Sequence, residues 1–320
     1  MKAARIHRFG PPDVIGIDEL ACPQPGPGEV LVRVAYAGVG PWDAWIREGK
    51  SVVKLSLPLI LGADLSGIVE ATGSGVTTFQ AGEAVYGVTN PEFIGSYAQF
   101  ALAKAHMIAR KPASLSFRDS ASVRVVAVTA WQMLFDYAEA TSGQTVLIHG
   151  AGGSVGAYAV QLAAQAGLEV IATAAASDAA YARGLGAGTV IDYRTSRFEE
   201  LAPKVDIVLD TVGGETAARS LRILKSGGIL VSVVSPPAPT PGVRAVFFLV
   251  EVTTERLDRI TRLFDERKLT PRVGSVLSLE QARAAHEMVA GAPHEPGKIV
   301  LAVTRCEGRA ETDPLKSEPW

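Results

Sequence analysis

The stretch 146–193 constrains this chain most, because a strand, a glycine-rich turn and a helix follow one another there. The apolar run at 146–149 predicts a buried strand, the sequence Gly-Ala-Gly-Gly-Ser-Val-Gly at 150–156 a tight turn, and residues 157–166 a helix. A second strand at 169–174, a helix at 178–185 and a third strand ending at 192–193 follow. This β-α-β-α-β order predicts a doubly wound parallel sheet with a ligand at the carboxyl ends of its strands.

The glycine-rich turn predicts a site for a nucleotide diphosphate. Gly150, Gly152 and Gly153 have no Cβ, so the backbone can turn tightly and approach a phosphate closely. The helix that follows directs its unpaired N–H groups and the positive end of its dipole towards that ligand. The glycines recur at 150, 153 and 156 rather than as a strict G-x-G-x-x-G, and an ordinary strand-to-helix turn is the alternative. The ordered strands and helices that follow favour the nucleotide site.

Composition excludes several classes of protein. A chain of 320 residues with a net charge of −2 predicts two domains and gives no electrostatic reason to expect nucleic acid or a membrane surface. Cys22 and Cys306 are too far apart in sequence for a metal-type spacing, and they fit a reducing compartment. No run approaches the about 18 apolar residues that a spanning helix needs, and the N-terminus lacks the apolar segment of a secretory signal. We therefore expect a cytoplasmic protein.

The two ends of the chain differ from its middle. Short alternating strands separated by Gly and Pro predict a small β-barrel, with strands at 30–37, 66–72, 84–88, 96–101 and, at the far end, 298–303. The middle predicts helices at 117–139, 215–224 and 254–268 and strands at 205–210, 229–234 and 243–250. We therefore expect a discontinuous barrel domain over residues 1–115 and 258–303, an α/β domain over residues 116–257, and a disordered tail at 304–320.

A series of motifs resembles the zinc-independent quinone oxidoreductases (zeta-crystallin-like) of the medium-chain dehydrogenase/reductase superfamily. The motifs lie at 58–67, 82–87, 129–132, 149–156, 186–193, 210–214 and 297–300. Their order and spacing together are specific, although each motif alone is not. The resemblance implies a GroES-like β-barrel domain plus a Rossmann domain, and an NAD(P)H-dependent reductase.

The resemblance and the strand ends together indicate a set of candidate cofactor-binding residues. These are Thr129, Gly150, Gly152, Gly153, Ser154, Val155, Thr173, Ser177, Tyr193, Arg194, Val212, Val234, Ser235, Phe248 and Leu249. The second strand ends at 173–175 without the acidic residue that usually holds the ribose hydroxyls of NAD. Tyr193 and Arg194 remain as partners for a 2′-phosphate, whereas Asp178 either caps its helix or repels that phosphate. We favour NADPH, with NADH as the alternative.

The resemblance also bears on zinc. Zinc-dependent relatives place their ligands at positions that correspond to Gly40, Ala63 with Asp64, and Val125 in this chain. Because Gly, Ala and Val cannot coordinate a metal and a catalytic zinc needs three protein ligands, we expect no zinc. Arg124 stands where relatives usually have proline, and it either forms a surface salt bridge or reaches the active site.

Without a metal, the simplest chemistry is hydride transfer to a quinone or an α,β-unsaturated carbonyl, which stabilises the resulting charge itself. The substrate-cleft candidates are Trp42, Asp43 and Trp45. The two indoles either stack on a flat substrate ring or belong to the core. Asp43 is either a structural capping residue or a proton donor.

Two other functions remain open at this point. An enoyl-thioester reductase needs basic residues for the phosphate of coenzyme A, and no basic patch is evident. A non-catalytic NADPH-binding protein, crystallin-like or RNA-binding, is the second, and the acidic charge balance counts against RNA. The apolar segment 243–250 predicts a strand at the edge of the sheet, which favours pairing with a second copy and hence a homodimer.

Overall fold

The structure is a computed structural model that describes residues 1–304, so the predicted tail lies outside it from residue 305 onwards. The chain separates into two compact units, residues 1–122 with 273–304 and residues 123–272. We predicted domain boundaries at 116 and 258. Those bounds stay a prediction, since compact contacts alone do not define an independently folding domain.

The N-terminal part of the first unit is mainly β-structure. Its elements are β1 (Lys2–Ile6), β2 (Ile15–Glu19), β3 (Glu29–Val39), α1 (Pro41–Arg47), β4 (Leu59–Ile60), β5 (Asp64–Thr72), β6 (Ala84–Val88), β7 (Phe100–Lys104) and β8 (Ile108–Arg110). The strand predicted at 96–101 is wrong over its first residues, because the N–H groups of Ser96 and Tyr97 bond to Gly62 and Leu61 outside any ladder.

The second unit alternates helices and strands. Helix α2 (Phe117–Trp131) spans the boundary after residue 122. The other elements of the second unit are β9 (Thr145–Ile148), α3 (Ser154–Gln165), β10 (Glu169–Ala174), α4 (Ala179–Gly184), β11 (Thr189–Asp192), α5 (Phe198–Leu201), β12 (Val205–Asp210), α6 (Gly214–Ser220), β13 (Leu224–Ser232), β14 (Arg244–Phe247) and α7 (Thr254–Asp265). A π-helical segment, residues 132–137, follows α2 directly. The chain ends its described part with β15 (Val273–Ser278), α8 (Ala282–Val289) and β16 (Lys298–Ala302).

The sheet of the second unit has the order β11-β10-β9-β12-β13-β14, and every pair in it is parallel. The strand order reverses direction at β9, which has β10 on one side and β12 on the other. All four residues of β9 are buried, as the unbroken apolar run predicts. The predicted doubly wound parallel sheet is therefore confirmed, and its switch point lies where β9 leads into the glycine-rich turn.

The first unit contains a sheet in the order β15-β16-β3-β5-β6-β8, with β7 also paired to β3, and a small sheet in the order β2-β1-β4. The long strand β3 changes register twice against β5, so it bends and its side chains enclose one core. Valines at 30, 32 and 34 on β3 belong to that core. β16 pairs antiparallel with β3, so the C-terminal strand lies in the sheet of the N-terminal strands.

One predicted helix is wrong at its C-terminal end. We expected 215–224 to be helical, but α6 stops at Ser220 and a 3-10 turn occupies 221–223. β13 begins at Leu224, which pairs with Val205, and the register then shifts before Ile207. Gly227, with a φ of +78°, lies in that irregular part of the strand. A lysine and two glycines are typical of a helix end, and here they occupy a bulged strand.

β14 covers residues 244–247 of the predicted strand at 243–250, and it lies at the edge of the sheet, beside β13 alone. The edge position agrees with the expectation, and the homodimer stays a prediction. Within residues 1–304, no helix has the length and apolar character needed to cross a membrane.

Candidate functional site

The glycine-rich turn after β9 is closed by backbone contacts. Gly150 has a φ of +72°, in the left-handed region that favours glycine. The N–H of Gly153 donates to the carbonyl of Gly150 at 2.9 Å. A Cβ added to Gly156 would lie 2.2 Å from that same carbonyl oxygen, so the start of α3 packs directly on the turn. Glycine at 156 is therefore required for this close approach.

The turn presents backbone donors at the start of α3. The N–H groups of Gly152, Ser154 and Val155 donate no hydrogen bond to any atom of residues 1–304. Gly153, at the N-cap of this 12-residue helix, is exposed. Unpaired N–H groups at the positive end of a helix form an anion site, which is the arrangement that binds a diphosphate.

A buried histidine supports the turn from below. His149 is 1% exposed, and its ring nitrogens lie 3.0 Å from Oγ1 of Thr173 and 2.8 Å from Oγ of Ser220. Burial lowers the pKa of His149 to about 4, so the ring is neutral at physiological pH. The Thr173 hydroxyl also accepts from the N–H of Gly150 at 3.4 Å. Of the predicted cofactor residues, Thr173 is thus one that holds the turn in shape.

The carboxyl end of β12 forms a second tight loop. The carboxylate of Asp210 accepts from the N–H groups of Val212 and Gly213 at 3.0 and 2.8 Å, and from the hydroxyl of Ser232 at 2.8 Å. A Cβ on Gly213 would lie 2.7 Å from Cγ1 of Val234, so the loops after β12 and β13 touch. Val212 and Val234 are 52% and 40% exposed, which leaves an apolar surface at these two strand ends.

The remaining residues that were predicted to lie on the nicotinamide side differ in their exposure and contacts. Leu249 is 61% exposed, whereas Phe248 is buried and stacks on Tyr137 with ring centroids 4.2 Å apart. Thr129 is buried on α2 and donates its hydroxyl to the carbonyl of Val125 at 2.6 Å. The N–H of Ser235 lies 3.5 Å from the Ser232 hydroxyl, in the loop after β13. Phe248 therefore packs in the protein, while Leu249 presents its side chain to solvent.

At the other side of the turn, the ends of β10 and β11 meet. Ala174 pairs with Asp192, and the N–H of Tyr193 donates to the carbonyl of Ala174 at 3.3 Å. Tyr193 is 55% exposed, and the guanidinium of Arg194 lies 5.8 Å from its ring centroid. Ser177 is exposed on the 3-10 turn at 176–178. The predicted phosphate partners Tyr193 and Arg194 thus follow β11, beside the end of β10.

Of the two alternatives for Asp178, the one in which its side chain caps the helix is wrong. Asp178 occupies the N-cap position of α4, but its side chain makes no cap hydrogen bond. Oδ1 of Asp178 instead lies 3.3 Å from Nη1 of Arg272, and the Arg272 guanidinium lies 4.0 Å from the ring centroid of Tyr181. A Cβ on Gly152 would lie 2.8 Å from Oδ2 of Asp178. This ion pair therefore borders the glycine-rich turn, and the sequence contains no motif that would have indicated Arg272.

In the first unit, the substrate candidates all lie on α1. Oδ2 of Asp43 accepts from the N–H of Gly40 at 2.7 Å and from the Tyr97 hydroxyl at 3.2 Å, so Asp43 is a capping residue. It is 0% exposed, and its Oδ1 has no hydrogen-bond partner among the described residues. Burial raises the pKa of Asp43 to about 7, against the opposing effects of the Gly40 N–H and Lys298.

The indole of Trp42 occupies the space next to Gly40. A Cβ on Gly40 would lie 2.4 Å from Cζ2 of Trp42, so the ring stands where a side chain at position 40 would extend. The ammonium of Lys298 lies 4.2 Å from the Trp42 ring centroid and 3.6 Å from Oδ2 of Asp64. Trp45 is 49% exposed. One face of Trp42 is thus taken by Lys298, whereas Trp45 is open to solvent.

Two further expectations concern charge and metal. Arg124 is 0% exposed, so the interpretation as a surface residue is wrong. Within residues 1–304, no three His, Cys, Asp or Glu side chains come together as a metal site would require.

A barrel-type unit and a doubly wound unit with a diphosphate-type turn define a medium-chain dehydrogenase/reductase. Residues 26–113 match the alcohol dehydrogenase GroES-like domain, and residues 185–301 match the zinc-binding dehydrogenase family. The structure of the quinone oxidoreductase from Coxiella burnetii is similar with a TM-score of 0.87 and 33% identity, over 95% of this chain and 99% of that one.

Two other proteins are similar over most of the chain. The Escherichia coli quinone oxidoreductase, in a structure with NADPH, gives a TM-score of 0.84 and 26% identity over 94% of this chain and 100% of that one. The 2-methylene-furan-3-one reductase of Solanum lycopersicum is 32% identical over 85% of this chain and 71% of its own length. The chain belongs to the quinone oxidoreductase family of the medium-chain dehydrogenases/reductases, and the predicted fold class, a GroES-like domain plus a Rossmann domain, is confirmed.

Proposed function

We propose that this protein is an NADPH-dependent reductase that transfers hydride to quinones or α,β-unsaturated carbonyls without zinc. The observation that supports this most is the set of three unpaired N–H groups, at Gly152, Ser154 and Val155, at the start of α3. These donors match a diphosphate, which binds through backbone N–H groups at a helix N-terminus. Every helix leaves its first N–H groups unpaired, so the distinctive feature is their combination with Gly150, Gly152 and the exposed Gly153, which have no side chain to block a ligand.

The surroundings of the turn fit the two halves of a dinucleotide. The exposed apolar side chains of Val212, Val234 and Leu249 suit the flat face of a nicotinamide ring. At the opposite side, Tyr193, which follows β11 and bonds to the carbonyl of Ala174 at the end of β10, suits the adenosine half. No carboxylate stands at 173–175, where an acidic residue usually holds the ribose hydroxyls of NAD, and Asp178, three residues further on, is paired with Arg272.

NADPH supplies a hydride when it is bound, and the protein's own residues act by positioning. The N–H groups of the turn hold the diphosphate, and the Asp210 carboxylate fixes the loop that carries Val212. His149 is neutral and fully paired, so it keeps the turn in shape without adding charge beneath the phosphates. The proton that completes the reduction comes from a side chain or from water.

The absence of zinc in this proposal rests on residue types. Positions 40, 63 and 125, which correspond to ligand positions in zinc-dependent relatives, are Gly, Ala and Val. The space beside Gly40 is filled by the indole of Trp42, against which the Lys298 ammonium lies.

The proposed substrate class is supported by the names of the similar proteins and by the ability of these acceptors to stabilise negative charge. The similar proteins include, by name, quinone oxidoreductases and a 2-methylene-furan-3-one reductase, whose named substrate is a conjugated enone. Quinones and conjugated enones accept hydride without a Lewis acid, because the hydroquinone monoanion or the enolate that forms delocalises the negative charge until it is protonated. We place Trp45, with its exposed indole, among the residues that contact such a flat substrate.

The test is the initial rate of NADPH oxidation with 1,4-benzoquinone and, separately, with a simple cyclic enone. NADH and heat-inactivated protein serve as controls, and each assay is run with and without a chelator. We expect turnover of at least one acceptor, a preference for NADPH, and no effect of the chelator. Absence of turnover above the heat-inactivated control with both acceptors would contradict the reductase, and loss of activity with the chelator would contradict the zinc-free mechanism.

A further inference from the structure

We propose that Arg272, held between Asp178 and Tyr181, is the residue that recognises the adenosine 2′-phosphate and gives the protein its preference for NADPH. The proposal rests on the proposed function, because it assigns a determinant of specificity to the same nucleotide site. It differs from the expectation from sequence, which indicated only Tyr193 and Arg194, directly after β11.

The position of Arg272 relative to the turn follows from Asp178. Oδ2 of Asp178 lies where it would be 2.8 Å from a Cβ on Gly152, so the carboxylate touches the middle of the glycine-rich turn. Oδ1 of the same carboxylate lies 3.3 Å from Nη1 of Arg272. Asp178, which follows β10, therefore links the Arg272 guanidinium to the glycine-rich turn. The adenosine ribose of a bound dinucleotide lies at this strand end in doubly wound sheets.

The guanidinium of Arg272 is also held in one orientation by its neighbours. Its guanidinium lies 4.0 Å from the ring centroid of Tyr181, a distance typical of stacking on the ring. Burial raises the pKa of the Tyr181 hydroxyl, so this partner stays neutral. The Arg272 side chain is 28% exposed, and Asp178 is its one ion-pair partner among residues 1–304. A planar guanidinium fixed on one face and still open to solvent suits a phosphate that arrives from solution.

The pair with Asp178 explains why the cation is needed. A carboxylate beside Gly152 would repel both a diphosphate on the turn and a phosphate on the ribose. Arg272 neutralises that carboxylate, and its remaining N–H groups can donate to a second anion. Arg194, by contrast, lies 5.8 Å from the Tyr193 ring centroid and is exposed, so less of its orientation is fixed.

A phosphate on the adenosine ribose occurs in two kinds of nucleotide, as the 2′-phosphate of NADPH and as the 3′-phosphate of coenzyme A. The location at the end of β10, beside the diphosphate turn, favours the 2′-phosphate of a bound dinucleotide. The fragments 2′,5′-ADP and 3′,5′-ADP distinguish the two sources, because they differ only in which ribose oxygen carries the phosphate.

The experiment measures Kd for NADPH and NADH by titration calorimetry on the full chain. The variants are Arg272→Gln, Arg272→Lys and the double variant Arg272→Gln with Asp178→Asn. Arg262→Gln, an exposed arginine on α7, is the matched control. Loss of one charge-assisted contact predicts that Arg272→Gln weakens NADPH by about 10- to 100-fold.

The double variant separates recognition from simple neutralisation of Asp178. If Arg272 contacts the phosphate, the double variant binds NADH as the unaltered protein does and still binds NADPH weakly. Restoration of NADPH binding in the double variant would overturn the proposal, because it would mean that Arg272 only masks the carboxylate. The affinity of Arg272→Lys for NADPH should lie between those of the unaltered protein and Arg272→Gln, since lysine keeps the charge and loses the planar geometry.

Two further outcomes are decisive. The unaltered protein should bind 2′,5′-ADP more tightly than 3′,5′-ADP, and the reverse order would overturn the assignment. Equal weakening of NADPH and NADH in the double variant would also overturn it, since that result indicates damage to the whole site. If the unaltered protein binds neither nucleotide, the proposed function itself fails, whereas intact binding with an unchanged preference in Arg272→Gln overturns this inference alone.

Discussion

The stability of this protein should depend on pH through one buried carboxyl, that of Asp43. Its side chain is 0% exposed and its Oδ1 has no hydrogen-bond partner among residues 1–304, so the ionised form is costly in the fold. Burial raises its pKa from 3.8 to about 7. We predict that the contribution of Asp43 to the free energy of unfolding falls as the pH rises towards neutrality. The Asp43→Asn variant should lack this fall.

The sign and size follow from proton linkage. A carboxyl with a raised pKa binds more protons in the folded than in the unfolded state between pH 3.8 and about 7, so its contribution falls with rising pH across that window. The fall is about 1.4 kcal/mol per pH unit, and hence on the order of 3 kcal/mol between about pH 5 and about pH 7. Above about pH 7 the contribution of Asp43 is constant.

Two histidines act in the opposite direction. Burial lowers the pKa of His149 to about 4 and that of His286 to about 3, so their contributions rise with pH up to the ordinary pKa of 6.5. The total pH profile therefore combines opposing slopes. Subtracting the free energy of unfolding of the unaltered protein from that of Asp43→Asn at each pH cancels the contributions of the two histidines, because both proteins contain them.

The assay is urea denaturation at half-unit pH steps from about 5 to about 8, followed by circular dichroism. The free energy of unfolding of Asp43→Asn minus that of the unaltered protein should rise with pH and then become flat near pH 7. Asp13→Asn is the control, because the Asp13 side chain is exposed in the same unit. A constant difference across the whole range would refute the reasoning, because Asp43 would then ionise at the same pH in both states.

Other substitutions test the close contacts around two glycines. Gly156→Ala should remove nucleotide binding and lower the melting temperature, because its Cβ would meet the Gly150 carbonyl at 2.2 Å; Gly184→Ala has no atom within 4 Å and should be neutral or stabilising, by about 0.5–1 kcal/mol, in thermal melts. Equal effects of the two alanines would contradict the packing argument. Gly40→Asn should destabilise the fold by about 1–3 kcal/mol, since the Trp42 ring occupies the space, and adding Trp42→Ala should recover part of that loss in a double-mutant cycle. Purely additive effects would show that the indole does not fill that space.

Local patterns predicted most of the second unit. The apolar run of β9, the glycine-rich turn and the helix after it are encoded within a dozen residues, so periodicity and turn chemistry are enough to identify them. The cap of α1 by Asp43 likewise needs only residues three apart. By contrast, a lysine and two glycines at 225–228 give the local signal of a helix end, although the pairing of β13 with β12 decides the structure there.

The side chains that sequence reasoning missed depend on long-range contacts. Arg272 reaches Asp178 from far along the chain, and Lys298 reaches Asp64 and Trp42 from the C-terminal strand. No spacing rule connects such residues, because the topology of the sheets brings them together. The candidates on the glycine-rich turn were accessible from sequence for the opposite reason, since one short segment contains them all.

The central claim, direct hydride transfer from a nicotinamide bound at the glycine-rich turn, is tested most directly with isotope. The protein is incubated with NADPH deuterated at C4 and a cyclic enone, and the saturated ketone is analysed by mass spectrometry and NMR. We predict one deuterium at the β-carbon of the ketone from one of the two C4-deuterated epimers of NADPH, none from the other epimer, and none with the Gly156→Ala variant. Reduced ketone without deuterium from either epimer, or labelled only from deuterated solvent, would contradict it.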